Sequence, residues 1–84
     1  MDVVTLPPNS TIPKHTHPGE EFIYILEGSS VLWRQGQENV TLRAGDSAVI
    51  TPGTVHTAIT TVEPVKALVF RVHPIGEPVR TLAE

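Results

Sequence analysis

The stretch HTHPGEEFIYILEG, residues 15–28, holds the pattern on which both the fold and the function of this chain depend. Its second half, Phe22–Leu26, is rich in aromatic and β-branched side chains and is typical of a β-strand. Its first half places His15 and His17 two residues apart, so in an extended segment both imidazoles project from the same face. A Pro-Gly pair then predicts a turn. The stretch therefore combines two aligned imidazoles, a turn and a strand.

Glycine and proline divide the rest of the chain into short segments. The glycines at positions 28, 36, 45 and 53 recur every eight or nine residues, which leaves little room for a helix of average length, about 11–12 residues. Many short strands at such a spacing are typical of an antiparallel sandwich or barrel. Apolar runs predict further strands at Val3–Leu6, Ser30–Arg34, Val40–Leu42, Ser47–Ile50, Val55–Val62 and Val65–Val72.

The connections between these strands can also be predicted. Residues 27–29, Glu-Gly-Ser, predict a hairpin turn between Phe22–Leu26 and Ser30–Arg34. A second turn is predicted at residues 34–37, before the next strand. Residues 77–84 have room only for a short terminal turn, which the proline within them disfavours.

Length and composition set the domain organisation. A chain of 84 residues predicts a single domain over residues 1–84, and a hydrophobic content of 39%, about 46% with the six glycines, is that of a globular chain. There is no cysteine, so no disulfide can support this small core and no thiolate can bind a metal. We therefore expect a metal ion or a partner subunit to supply the missing stability.

The charge pattern excludes several classes of partner. The six Lys and Arg residues are isolated along a chain of net charge −3, so we expect no nucleic-acid binding. No apolar stretch approaches the roughly 20 residues that span a bilayer, so we expect no membrane insertion. The first residues, Met-Asp-Val, lack the features of a signal peptide, and we predict a cytoplasmic protein, although a trimmed precursor could have lost a signal. The absence of cysteine leaves the redox compartment undecided.

The histidines offer a metal site. His15, His17 and Glu21 supply the two imidazoles and one carboxylate found at non-haem iron and related centres, and the turn after His17 can fold a carboxylate back. Glu20 is the competing carboxylate. His56 follows a Pro-Gly turn at the start of an alternating strand. The alternative for any single histidine is a surface residue or a hydrogen-bonded core residue, and spacing alone does not exclude it.

The first motif resembles that of the cupin superfamily, whose pattern runs Gly-x5-His-x-His-x3,4-Glu-x6-Gly. His15-x-His17-x3-Glu21-x6-Gly28 matches everything after the leading glycine. That glycine is replaced by Asn9, and asparagine is the commonest non-glycine residue in left-handed turns. The spacing to Gly28 favours Glu21 over the neighbouring glutamate as the residue in the motif.

The second motif of the family runs Gly-x5-Pro-x-Gly-x2-His-x3-Asn. Gly45-x5-Thr51-x-Gly53-x2-His56-x3-Thr60 keeps both glycines and the histidine. Thr51 stands at the proline position, with a proline beside it, and Thr60 stands at a position that is not a ligand in the family. The resemblance is thus to a small, bacterial-type cupin over residues 9–60.

The resemblance implies an all-β fold, a jelly-roll barrel or double-stranded β-helix of six to eight strands. It implies one divalent metal ion held by the ligand set His15, His17, Glu21 and His56. Nitrogen and oxygen ligands suit Fe, Mn, Co, Ni, Cu or Zn. A short barrel leaves sheet edges that pairing in a twofold dimer would cover, as small cupins do, so we predict a homodimer. His73 lies outside both motifs, and we interpret it as a surface residue.

The cavity beside such an ion is expected to be small and apolar. The aromatic residues Phe22, Tyr24, Trp33 and Phe70 are predicted to pack in the core. Val49 and Ile50 are predicted to supply apolar wall, and Ala58 and Thr60 to leave space beside the ion. Arg34 would pair with a substrate carboxylate only if it pointed inward, and its neighbouring turn favours solvent.

Three functions remain open from the sequence. The intact ligand set favours a metal-dependent enzyme for a small organic molecule, as a dioxygenase, decarboxylase, lyase or isomerase. The small size and the lack of a second acid–base group favour a metal-bearing binding or sensor module. A structural protein without metal is disfavoured by the intact ligands. A fold alone does not decide among them.

Overall fold

The structure is a computed structural model that describes residues 2–72 and 81–82. Within these residues all regular structure is β, which confirms the predicted fold class. None of the described segments forms a helix that could cross a membrane. The strands are β1 (Asp2–Leu6), β2 (His15–Thr16), β3 (Glu21–Arg34), β4 (Val40–Arg43), β5 (Ser47–Ile50), β6 (His56–Ile59), β7 (Val65–Arg71) and β8 (Thr81–Leu82).

Strand β3 is shared by two sheets. Its first half pairs with β7 on one side and β5 on the other, with β1 beyond β7. Its second half pairs with β4 and β6, with β2 and then β8 beyond β6. All these pairings are antiparallel, and the shared strand joins the two sheets into a curled half-barrel. The predicted jelly-roll architecture is confirmed.

The predicted hairpin at residues 27–29 is wrong. The chain continues through these residues as one strand, with a bulge between Ile25 and Glu27 where its pairing register to β7 shifts. Gly28 has φ +76°, and a Cβ there would lie 1.8 Å from the Pro64 carbonyl oxygen. The glycine therefore lets two backbones approach at a bend from one sheet to the other, and it does not reverse the chain.

The substitution of asparagine for the leading motif glycine is accommodated as predicted. Asn9 has φ +55°, in the left-handed region, and its N–H donates to the Thr61 carbonyl at 2.8 Å. The same turn is fastened by Thr60, whose hydroxyl donates to the Pro7 carbonyl at 2.5 Å. The expectation that Thr60 leaves space beside the ion is wrong, because this hydrogen bond turns its buried side chain to the turn.

The core lies between the two sheets and is aliphatic. Its buried hydrophobic residues are Ile25, Leu32, Leu42, Ile50, Val65, Ala67 and Val69. The prediction that three of the aromatic residues pack there is wrong: Phe22, Tyr24 and Phe70 are 41%, 45% and 46% exposed. They project from the opposite face of the first sheet, because residues alternate along β3 and β7.

Other expectations differ in detail. Val49 is 51% exposed and supplies no cavity wall, whereas its neighbour Ile50 is buried as expected. Trp33 is half-buried, with the Lys14 ammonium 4.2 Å from the ring centroid. The strand predicted at residues 55–62 is limited to His56–Ile59. Of the short turn predicted at residues 77–84, only β8 belongs to the described residues, and it is extended.

Candidate metal centre

Strand pairing brings the four predicted ligands together. His15 of β2 lies directly opposite His56 of β6 in the antiparallel register. His17 follows β2, and its carbonyl accepts a hydrogen bond of 2.9 Å from the N–H of Gly53, which fastens the turn before β6. Glu21 opens β3 after the predicted Pro-Gly turn. Residues 41 positions apart in sequence, His15 and His56, thereby become neighbours.

The four side chains form a compact buried group. His15, His17, Glu21 and His56 are 3–5% exposed, and one ligand atom from each lies within 4.8 Å of the others. Metal–nitrogen bonds of about 2.1 Å separate ligand atoms on opposite sides of an ion by about 4.2 Å. The ligand atoms of the group are therefore only slightly further apart than those that surround a single bound ion.

Two imidazoles are held with Nε2 available to a metal. The Nδ1 atom of His15 lies 2.7 Å from the Pro13 carbonyl oxygen, and that of His56 lies 2.8 Å from the Thr54 carbonyl oxygen. A carbonyl only accepts, so Nδ1–H donates in both rings and the Nε2 lone pair remains for a ligand bond. Such hydrogen bonds to the second nitrogen are a regular feature of metal-binding histidines.

Glu21 is held as a carboxylate by positive and hydrogen-bonding neighbours. Its Oε2 lies 2.7 Å from His17 Nε2 and accepts a hydrogen bond of 3.0 Å from Arg71 Nε, and its Oε1 lies 3.8 Å from His56 Nε2. Burial acts to raise the pKa of Glu21, but His56, Arg71 and His17 together lower it to about 2. The carboxylate is thus ionised throughout the physiological pH range.

His15 is held neutral. Burial lowers its pKa below the ordinary 6.5, and the nearby imidazoles of His56 and His17 contribute to the same shift, against the opposing effect of the Pro13 carbonyl. A neutral imidazole is the form that binds a metal, whereas an imidazolium cannot.

The chemistry of the group fits a divalent transition-metal ion. The Nε2 atom of His56 is fully buried and has no hydrogen-bond partner among the described residues, which is costly unless a further ligand satisfies it. Imidazole nitrogens and one carboxylate oxygen are ligands that Fe, Mn, Co, Ni, Cu and Zn accept. A cation at the centre would satisfy this nitrogen.

A cavity of about 260 Å³ opens beside the group and includes His15, Glu21 and His56 in its lining. For comparison, a cavity of roughly 150 Å³ admits benzene. The other polar residues of the lining are Ser30, Thr57 and Arg71. The walls are otherwise aliphatic, formed by Val4, Leu6, Ile12, Ile23, Ile25, Leu32, Leu42, Ala58, Val65, Ala67 and Val69.

The structure separates the residues that the sequence left in competition. Glu20 is half-buried and stands outside the ligand group, which contains Glu21. Arg34 is not part of the cavity lining, whereas Arg71 is. The sequence analysis does not find Arg71. The one feature that indicates its role is its position at the end of β7, which pairs with the start of β3. His73 lies outside the described residues.

The protonation states give a prediction for the metal-free protein. His15 has a lowered pKa in the folded chain, so the unfolded chain takes up the proton first and stability is lost as the pH falls below about 6.5. Glu21 adds a second loss below about 4.5, towards its folded value of about 2. Thermal unfolding in a chelator at about pH 7.5, 5.5 and 3.5 measures both losses.

The variant His15→Asn is the control for the first loss, because an amide can donate to the same carbonyl but does not titrate. We expect it to flatten the decline of Tm between about pH 7.5 and 5.5. An equal decline in the variant and the natural chain would show that His15 is not the group responsible.

Comparisons with known proteins identify the family of the fold. The cupin domain family matches residues 2–71. A search among curated proteins found no match to this chain. Among solved structures, the DMSP lyase DddQ from Ruegeria pomeroyi DSS-3 is 31% identical, with a TM-score of 0.86 over 95% of this chain and 40% of its own.

Two further structures resemble the chain over most of its length. A predicted oxalate decarboxylase from Thermotoga maritima is 31% identical, with a TM-score of 0.75 over 86% of this chain and 64% of its own. The polyketide cyclase RemF from Streptomyces resistomycificus is 28% identical, with a TM-score of 0.82 over 98% of this chain and 58% of its own. The chain thus spans less than two thirds of each of these three proteins. Since the family match covers nearly all the described strands, this chain belongs to the cupin family.

Proposed function

We propose that this cupin domain binds one divalent transition-metal ion through His15, His17, Glu21 and His56 and acts on a small organic molecule in the adjacent cavity. The observation that carries the proposal is the buried group of three imidazoles and one carboxylate that opens onto an aliphatic cavity. The ion is one of Fe, Mn, Co, Ni, Cu or Zn.

The residues of the chain divide the work. A bound ion supplies Lewis acidity towards an oxygen-containing substrate. The carbonyls behind His15 and His56 fix the two rings, and Arg71 fixes the Glu21 carboxylate. The aliphatic walls exclude water and limit the substrate to a small molecule, because a cavity of about 260 Å³ has no room for a polymer segment.

The relatives support action on small molecules. The three similar proteins described above are a lyase, a predicted decarboxylase and a cyclase. We propose a reaction of the dioxygenase, decarboxylase, lyase or isomerase type. This chain spans only part of each relative, so its substrate is not transferred from theirs.

Turnover is tested with the metal-loaded protein and a panel of 1,3-diketones, catechols, thiols and 2-oxo acids. Oxygen consumption and mass spectrometry of the mixture report any reaction. We expect at least one member of the panel to be consumed and the reaction to disappear in His56→Ala, which removes a proposed ligand. Consumption that persists unchanged in that variant contradicts the proposed site.

The alternative is a metal-dependent binding or sensor module without turnover. One observation favours it: apart from the ligand group and Arg71, the polar residues of the cavity lining are Ser30 and Thr57, neither of which is an acid or a base near neutral pH. Saturable binding of a panel member without any consumption would support this alternative over an enzyme.

We further propose that the domain is a homodimer and that the outer aromatic face is its interface. This face comprises Phe22, Tyr24, Leu26, Val49, Phe70 and Val72, each 36–51% exposed. The Phe22 and Phe70 rings lie 6.0 Å apart, so their apolar surfaces are adjacent. Exposed contiguous apolar surface of this kind marks an interaction site, and a twofold axis brings such a face against its own copy.

Sedimentation at micromolar concentration tests the dimer. We expect the natural chain to sediment as a dimer and Phe70→Glu as a folded monomer, since a charge buried at the interface is unfavourable. The control is Val62→Glu, because Val62 is 89% exposed and outside this face. A natural chain that remains monomeric contradicts the proposal.

A further inference from the structure

Arg71 is a cationic side chain at the wall of the cavity. It ends β7, and in the antiparallel register it lies opposite Glu21. Its side chain is 27% exposed and is also part of the cavity lining, so it connects the cavity to solvent. Among the described residues that line the cavity, no other is a lysine or an arginine.

The guanidinium of Arg71 is only partly used by its neighbours. Its Nε donates to Glu21 Oε2 at 3.0 Å, and its Nη1 lies 3.4 Å from Asp2 Oδ2. The second contact is long, and the Asp2 side chain is 69% exposed. A guanidinium carries five N–H donors in a planar fork. Donors on the two terminal nitrogens therefore remain for a ligand.

The other residues of the cavity lining outside the ligand group offer no second hydrogen-bond donor for an anionic group. Ser30 Oγ lies 3.3 Å from the Ile59 carbonyl oxygen, and Thr57 Oγ1 donates to the Ile12 carbonyl at 2.5 Å. Both hydroxyls thus use their hydrogens within the protein. The remaining walls are aliphatic and cannot solvate a charge.

The balance of charge at this end of the cavity is positive once an ion is bound. Imidazoles that bind an ion are neutral ligands. The carboxylates of Glu21 and Asp2 contribute two negative charges, and a divalent ion with Arg71 contributes three positive charges, so one positive charge remains. An anion is attracted to this sum, and a cation is repelled.

We propose that Arg71 binds a carboxylate of the substrate, and that the substrates are small monocarboxylic acids with an apolar body. The inference rests on the proposed function and names its substrate class. The planar guanidinium matches the geometry of a carboxylate, and a single carboxylate could contact both Arg71 and the ion. The aliphatic walls would pack against the apolar part of the substrate.

The test measures the binding of butyrate and of butyramide to the zinc-loaded protein by calorimetry. Butyramide has the same shape as butyrate but carries no charge. We expect butyrate to bind at least tenfold more tightly, and Arg71→Gln to remove most of this difference while the protein retains one zinc ion per chain. Arg43→Gln is the matched control, because Arg43 is exposed and is not part of the cavity lining.

If Arg71→Gln loses its zinc, Arg71→Lys decides, because it keeps the positive charge beside Glu21 but lacks the planar fork. We expect this variant to retain zinc and to bind butyrate at least threefold more weakly than the natural chain. Equal affinity in the two proteins overturns the inference.

The outcomes separate this inference from the proposed function. A natural chain that binds no zinc overturns the proposed function and this inference with it. Two results overturn the inference alone. In the first, the natural chain binds zinc but does not prefer butyrate to butyramide. In the second, Arg71→Gln prefers butyrate as strongly as the natural chain does.

Discussion

Replacement of Gly28 by alanine is expected to cost about 3 kcal/mol or more of the free energy of unfolding, a fall in Tm of roughly 12–24 °C. Two causes combine. The φ of +76° costs an L-residue about 1–2 kcal/mol, and the added Cβ would stand 1.8 Å from the Pro64 carbonyl oxygen. Since the contacted atom belongs to the backbone just before β7, that backbone must move away from β3 to relieve the contact. Thermal unfolding followed by circular dichroism measures the loss.

Gly36→Ala is the matched control for this prediction. Gly36 has φ +79°, but a Cβ there meets nothing within 4 Å. Its replacement therefore carries the conformational cost alone, about 1–2 kcal/mol. Equal losses of stability in the two variants would contradict the close approach at Gly28.

The two glycines show what the sequence could and could not predict about the fold. The sequence predicts a turn between strands at both glycines, and this is correct at Gly36, where the chain reverses. At Gly28 the same residue type serves a bend in one long strand that two sheets share. The difference arises from Pro64, 36 positions away, whose backbone is brought against β3 only by the tertiary fold.

The second large effect concerns the carboxylate. Glu21→Gln keeps the shape of the side chain but removes its charge, and we expect at least a hundredfold loss of affinity for a divalent ion. Competition with a chelating indicator measures the change. The control is Glu20→Gln, which alters the neighbouring carboxylate outside the ligand group and is expected to change the affinity less than about twofold. A larger loss of affinity in Glu20→Gln than in Glu21→Gln would show that Glu20, and not Glu21, is the ligand.

The candidate site could be predicted in part because three of its four residues are local in sequence. His15, His17 and Glu21 lie within seven residues of one another, on either side of one turn. Their spacing alone indicates a possible metal site. Arg71 could not be found in this way. It contacts Glu21 because β7 pairs with β3 in a register that places the two residues opposite each other, and register is a property of the whole sheet.

The prediction that three of the aromatic residues pack in the core is wrong for a related reason. Alternation along β3 correctly groups Glu21 with Ile23 and Ile25, and it puts Phe22 and Tyr24 on the other face. Hydrophobicity suggested that the aromatic side chains are buried, but the core lies on the face of the metal group. The first sheet is apolar on both faces, and a partner that covers its outer face is not visible in the pattern of a single chain.

The metal content of the purified protein, compared with that of His56→Ala, tests the central claim most directly. After incubation with a divalent transition metal and removal of the excess, the natural chain is predicted to retain one ion per chain and to melt at a higher temperature than its metal-free form, because an ion that binds only the folded state stabilises it. His56→Ala is predicted to retain no ion and to show no such rise in Tm. A natural chain without stoichiometric metal, melting at the same temperature with and without the ion, would contradict the account.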